Sequence, residues 1–229
     1  MYDIENYYNA STIEEAVRLL KEHPDTRVIS GGSDVLIKIR EGKMAGTSLV
    51  SIRDIKELNG ITKKENGDIY IGAGTTFSHI TNDPVIQENI PVLGEAVDQV
   101  GGPQIRNIGT IGGNICNGAV SADSAPTVFS LNALLRIEDG NNGRTVPVRD
   151  FYLGPGRVDL KRGEILTHVI IPAKEYQGYH GNYIKYSMRK AMDIATLSCS
   201  VVSKVNTEKK YSGRCAHYLW RSGSGSFPV

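Results

Sequence analysis

The sequence predicts an α+β fold in two unequal parts, and three observations carry that expectation. Residues 1–55 alternate short apolar runs with helical patterns, as in a small α/β unit with few parallel strands. Beyond residue 55 the pattern changes, starting with an Asn66-Gly67 dipeptide between two strand-like runs, a strong antiparallel hairpin signal. Each part also holds one glycine-dense segment, at residues 30–34 and 109–118.

Bulk properties narrow the function. The chain has 229 residues, 40% hydrophobic and 22% charged, which suits a globular protein with a sizeable core. A net charge of +1 gives no electrostatic reason to expect nucleic acid or an anionic membrane. Glycine, at 25 residues, exceeds an average share of about 7%, which points to tight turns or backbone lying close to a neighbour. Cys116, Cys199 and Cys215 are odd in number and widely spaced, so neither a disulfide framework nor an iron–sulfur centre is expected, and a reducing compartment fits. The start, Met1-Tyr2-Asp3-Ile4-Glu5, lacks the layout of a signal peptide, and no apolar run reaches the roughly 18 residues of a membrane span. The expected location is cytoplasmic.

The elements follow in order. Ser11-Thr12-Ile13-Glu14 reads as a capping box, and Ile13, Ala16, Val17, Leu19 and Leu20 share one helical face. Arg27 to Ser30 and Thr47 to Ile52 read as strands, with a helix or extended run over Val35 to Arg40. Ile61 to Glu65 and Asp68 to Ile71 form the hairpin, with a type I′ turn expected at Asn66-Gly67. Asp83 to Val100 is mostly helical, 101–123 is a polar, glycine-rich connection, and Ala125 to Ala133 is a helix. Leu134 to Glu138, Thr145 to Val148 and Glu164 to Pro172 are strands of a sheet expected to be antiparallel. From Tyr211 onward no strand or helix period is visible.

The two glycine segments are the candidate sites. In Ser30-Gly31-Gly32-Ser33-Asp34 the glycines let successive N–H groups converge on an anion. A helix start just after them would add free N–H groups and a positive dipole end. The same string is also a common turn. In Gly109-Thr110-Ile111-Gly112-Gly113-Asn114-Ile115, the isoleucines can anchor the segment while the exposed backbone between them suits a pyrophosphate and the attached ribose or ribityl hydroxyls. The competing reading is a buried connection whose glycines permit close packing. Neither segment matches G-x-G-x-x-G or a P-loop, so Rossmann and P-loop folds are disfavoured. His23, His79, His168, His180 and His217 are scattered and read as surface or packed residues. No metal site and no nucleophile–base set stands out.

Five blocks in order, SGGSD at 30–34, IRNIGTIGGNICNG at 105–118, SADSAP at 121–126, EILTHVIIP at 164–172 and YIKYSMRKAMDIA at 183–195, resemble the FAD-binding subunit of xanthine dehydrogenase and its molybdenum hydroxylase relatives. The resemblance implies a two-subdomain FAD-binding fold of the vanillyl-alcohol oxidase type. It divides the chain into 1–55, 56–175, the start of a C-terminal domain at 176–210, and a tail at 211–229. It implies FAD contacts at Ile29, Ser30, Gly31, Gly32, Ser33, Asp34, Val35, Gly109, Thr110, Ile111, Gly112, Gly113 and Asn114. Asp123 also carries over, unless it merely caps the following helix. Ile165 and Leu166 carry over as packing near the flavin, and Lys185 as a neighbour of its ring, unless it is a plain surface lysine. Electrons are then expected to come from 2Fe–2S clusters of one partner, fed by a molybdopterin-bearing partner that oxidises a purine, and to leave as hydride to NAD.

The family's C-terminal domain is expected to be largely missing here. One back-translation of CAHYLWRSGSGSFPV, read one base later, gives a stretch like VRITYGVAAPVPF, which resembles the family at this place. A frameshift is therefore expected after about residue 210.

Overall fold

The computed structural model describes residues 2–206 and 211–221. The N-terminal part runs β1 (Ile4–Asn9), α1 (Ile13–Glu22), β2 (Arg27–Ile29), α2 (Val35–Arg40) and β3 (Thr47–Ser51). Its three strands form a parallel sheet in the order β1-β3-β2. β1 escapes sequence reading because only Ile4 and Tyr8 turn even partly inward, which leaves no period-2 signal. The cap of α1 lies one residue later than expected. Thr12 accepts from the Glu15 N–H, and the Glu15 carboxylate accepts from the Ser11 N–H at 2.8 Å. Ala16, Val17 and Leu20 of α1 pack with Val50, Ile52, Ile55 and Leu58 in a small core.

The larger part is built on a five-stranded antiparallel sheet. Its strands are β4 (Ile61–Lys63), β5 (Ile69–Gly72), β6 (Leu134–Glu138), β7 (Arg144–Pro147) and, after the short hairpin β8–β9 (Tyr152–Gly154, Arg157–Val158), β10 (Ile165–Ile171), in the order β4-β5-β10-β6-β7. The β4–β5 turn is not type I′. Only Gly67 has positive φ, at +87°, and its N–H bonds the Lys64 carbonyl while Lys64 N–H bonds the Asp68 carbonyl. That pattern is a type I turn followed by a left-handed glycine, a common three-residue hairpin loop.

Between β5 and β6 the chain makes six short helices: α3 (Phe77–Asn82), α4 (Pro84–Asn89), α5 (Pro91–Asp98), α6 (Pro103–Ile108), α7 (Ile111–Asn117) and α8 (Ala125–Ser130). The expected connection over 101–123 thus contains two helices. Ile111 and Ile115, four apart, lie on one face of α7 and are fully buried. The Thr110 side chain caps this helix by accepting from the Gly113 N–H. These helices and the large sheet enclose the main core, which includes Phe77, Leu93, Ile115 and Phe151.

A third sheet, β11 (His180–Tyr186), β12 (Leu197–Asn206) and β13 (Tyr211–Arg221), is antiparallel. β13 corrects the reading of the tail, since it pairs with β12 along nearly its whole length. A ladder needs backbone donors and acceptors, not an apolar period, and no proline interrupts this stretch. Residues 222–229 lie outside the described residues. Among the described residues, no helix is long and apolar enough to cross a membrane.

The strand β10 serves both parts. Neighbouring side chains of a strand face opposite ways. Ile165 accordingly enters the small core and Leu166 the main core. Further along β10, His168 lies beside Tyr70, with ring centroids 5.9 Å apart. Burial, helped by the nearby Lys64, holds His168 below its ordinary value of 6.5. The folded imidazole therefore stays neutral where the unfolded one takes a proton, so its stabilising effect is present above pH 6.5 and lost as pH falls below it. Urea unfolding at pH 7.5 and 5.5 should show a smaller loss of stability on acidification in His168→Gln than in the unsubstituted chain. Equal losses would remove His168 from the account.

Candidate functional site

In an open parallel sheet, the loops after the carboxyl ends of neighbouring strands lie side by side and form a natural crevice. Here those loops follow β2 and β3. The first is the Ser30–Asp34 segment, and the second continues through Arg53. Gly31 faces the larger part directly. A Cβ built on Gly31 would stand 1.8 Å from the Ile108 carbonyl oxygen, so no other residue fits. Gly32 has φ of +73°, the left-handed region that glycine enters without steric cost.

The N–H groups of Gly31, Gly32, Ser33, Asp34 and Val35 have no acceptor among the described residues. The chain closes behind them, with Leu36 N–H on the Gly32 carbonyl and Lys38 N–H on the Asp34 carbonyl. Five successive free donors in a half-buried loop form a receptor for a polyanion. The helix that follows has only six residues, so the donors, rather than an axial dipole, account for this property. Asp34 does not cap α2. Its carboxylate is paired with Lys38 at 2.6 Å, and Lys38 also donates to Asn117 at 3.0 Å, which ties the loop to the end of α7.

The second glycine segment behaves differently from the expectation. Most of its backbone donors are already engaged: Ile111 by the Thr75 carbonyl, Gly112 by Ala73, Gly113 by the Thr110 hydroxyl, and Asn114 by the Thr110 carbonyl, while the Thr110 N–H has no acceptor among the described residues. Gly112 is there for close packing, since a Cβ would lie 2.5 Å from that of Ala73. Gly109 binds back to Ile105, and its carbonyl accepts from Phe77. The segment therefore acts as a wall that contributes the Thr110 hydroxyl to the cavity. Asn114 accepts from Ser124 at 2.6 Å through Oδ1, which leaves its amide hydrogens as donors. Cys116 is no nucleophile, because burial pushes its thiol up to about 12.

Between the loops lies a cavity of about 200 Å³. Ser30 and Gly31 line one side, Ile108 and Thr110 the other, and Gly74 and Thr76 lie before α3. Arg53, Asn59 and Asn107 complete it. Sequence reading missed Arg53, Asn59 and Thr76 because it followed glycines. Arg53 stands just beyond β3, a position that gives no signal until the pairing of β2 with β3 sets it beside the first loop.

Asp123 and Lys185 form a second cluster, bound to the first through the Ser124–Asn114 bond. Lys185 Nζ donates to Asp123 Oδ2 and to the Gln99 carbonyl, both at 2.9 Å, and Tyr183 donates to Asp123 Oδ1 at 2.8 Å. The two charged side chains are only 5% and 7% exposed. Lys185 is thus not a surface lysine. Asp123 is not a helix cap either, since Ser124 holds that position in α8. Burial pushes the Asp123 carboxyl above its ordinary range, against the pull of Lys185 and Tyr183. The Tyr183 hydroxyl is pushed up by burial and by the adjoining carboxylate. Ile165 and Leu166 sit inside the two cores, at 2% and 3% exposure, and present no open face.

Removing one member of a buried pair strands the other charge, which costs about 3–5 kcal/mol. Lys185→Met should lower stability in urea by that order, and adding Asp123→Leu should recover much of it. A single variant as stable as the unsubstituted chain would show that the pair carries no such coupling.

Comparison with known proteins agrees with this architecture. The family described as the FAD binding domain in molybdopterin dehydrogenase matches residues 2–174. A xanthine dehydrogenase FAD-binding subunit from Escherichia coli is 40% identical over 87% of this chain and 68% of its own length. The nicotinate dehydrogenase FAD-subunit of Eubacterium barkeri is 34% identical over 100% of this chain and 77% of its own. Among solved structures, a carbon monoxide dehydrogenase from Hydrogenophaga pseudoflava superposes with a TM-score of 0.92, at 28% identity, over 100% of this chain and 78% of that one. The chain belongs to the family of FAD-binding domains of molybdopterin dehydrogenases.

Proposed function

We propose that this chain is the FAD-carrying electron relay of a xanthine-dehydrogenase-type molybdenum hydroxylase. The observation that carries the reading is the run of five unengaged N–H groups from Gly31 to Val35 beside a cleft. A dinucleotide's diphosphate supplies the acceptors those donors lack, and the Thr110 hydroxyl and Asn114 amide can reach the same ligand from the opposite wall. Ile29 holds the loop from the β2 side, while Ile111, Ile165 and Leu166 support the site from within the cores. The Asp123–Lys185 pair offers a fixed charge and ammonium protons to the polar atoms of the flavin end. When bound, FAD supplies a redox centre that takes electrons from one carrier and passes them on as a hydride, while the protein provides position and electrostatics.

In this reading electrons arrive from 2Fe–2S clusters of an iron–sulfur subunit. A molybdopterin-bearing subunit feeds those clusters by oxidising a purine, and NAD is the final acceptor, all in the cytoplasm. The 40% identity to a xanthine dehydrogenase subunit supports the purine assignment. A nicotinate hydroxylase is the second reading, favoured by the alignment of the nicotinate dehydrogenase subunit over 100% of this chain. Carbon monoxide and glyceraldehyde enzymes also have similar medium chains.

The purified chain should be yellow and release about one FAD per chain on heat denaturation. A folded, colourless protein that takes up no added FAD would sink the flavin assignment for this chain. Gly31→Ala should bind no FAD, because the new methyl either displaces the loop from Ile108 or expands the core contact at a cost of about 1–3 kcal/mol. Mixed with its molybdenum and iron–sulfur partners, the chain should support reduction of NAD by xanthine. Reduction by nicotinate instead would favour the second reading.

A further inference from the structure

Nothing in the glycine segments neutralises a polyanion, because their donors are uncharged. Of the side chains lining the cavity, Arg53 alone carries a charge. It is exposed, and its guanidinium has no carboxylate or carbonyl partner among the described residues. Its backbone is held, with the Arg53 N–H on the Ser51 hydroxyl at 3.4 Å. The nearest acids in sequence and across the cleft are otherwise occupied: Asp54 accepts from Asn9 at 2.8 Å, and Asp34 pairs with Lys38. Around the same space the Thr76 and Thr110 hydroxyls accept from the His79 and Gly113 N–H groups, so each keeps its own proton to donate outward.

An unpaired guanidinium facing a wall of donors recognises phosphate oxygens, often through two parallel hydrogen bonds. The cavity, at about 200 Å³, is smaller than the roughly 300–1,000 Å³ of a pocket for a whole ligand, so it suits one polar segment of a longer molecule. We propose that Arg53 is a phosphate clamp that makes this site select a diphosphate-bearing flavin over the same flavin without phosphate. The inference rests on the FAD reading and adds to it a third segment, beyond the two glycine segments, and a charge.

The test titrates the full chain, stripped of flavin, with FAD and with riboflavin by flavin fluorescence, in the unsubstituted form and in Arg53→Gln and Arg53→Lys. A thermal melt checks folding. Arg53→Gln should weaken FAD binding about 10- to 100-fold, the range for losing a charged hydrogen bond, and leave riboflavin unchanged. Arg53→Lys should restore part of the loss, and the salt dependence of FAD binding should flatten in Arg53→Gln. Unchanged FAD affinity, or an equal loss for both flavins, would overturn the clamp. An unsubstituted chain that binds neither flavin would instead sink the FAD reading. Inorganic pyrophosphate then decides the clamp: raising the melting temperature of the unsubstituted chain but not of Arg53→Gln supports it, and no difference overturns it.

Discussion

The approach of Gly31 to the Ile108 carbonyl is the constraint on which the rest of the structure depends. Two main chains, one from the parallel sheet unit and one from the helical layer of the larger part, meet with no room for even a methyl group. This contact fixes how far apart the walls of the cleft stand. Beside it, the N–H groups of Gly31 to Val35 are left without acceptors among the described residues. Gly32, in the left-handed region, completes the bend.

The two glycine segments therefore divide the labour. The first presents donors. The second satisfies itself, through its helix, its Thr110 cap and the Ala73 and Thr75 carbonyls, and so forms a stiff wall. Stiffness is passed outward by three polar ties of modest length. Lys38 joins the first loop to Asn117, Ser124 joins α7 to the next segment, and Lys185 joins that segment to the third sheet through Asp123. A ligand lying along this path meets side chains whose positions are fixed by their neighbours.

Much of the fold was legible because it depends on local chemistry. The helix at Ile13–Glu22 shows its apolar face and its cap, and β6 and β10 show as apolar runs bounded by turn residues. The Asn66-Gly67 hairpin was legible, but its turn type was not, because Asn66 can serve either geometry and the choice depends on strand register. α7 was hidden because two glycines and two asparagines in seven residues have poor helix propensity, overridden here by Ile111 and Ile115 in the core. β1 was hidden because only Ile4 and Tyr8 turn even partly inward, and β13 because a ladder needs only backbone donors and acceptors. In the site, Gly31 was legible by type. Arg53 was not, because an arginine after a strand carries no pattern until the sheet order sets it beside the first loop. Lys185 and Asp123 came only from family resemblance, and their pairing across 62 residues emerges only in three dimensions.

The split allegiance of β10 has a consequence for how the site is filled. Since Ile165 is seated in one core and Leu166 in the other, a hinge that parted the two units would have to pull one of these side chains out of its packing. The groove is thus preorganised, with its width set before any ligand arrives. The entropy lost on binding falls mainly on the long, flexible ligand rather than on the protein. Affinity in such a groove is then governed by how much of the ligand's own freedom the polar ties along its length repay.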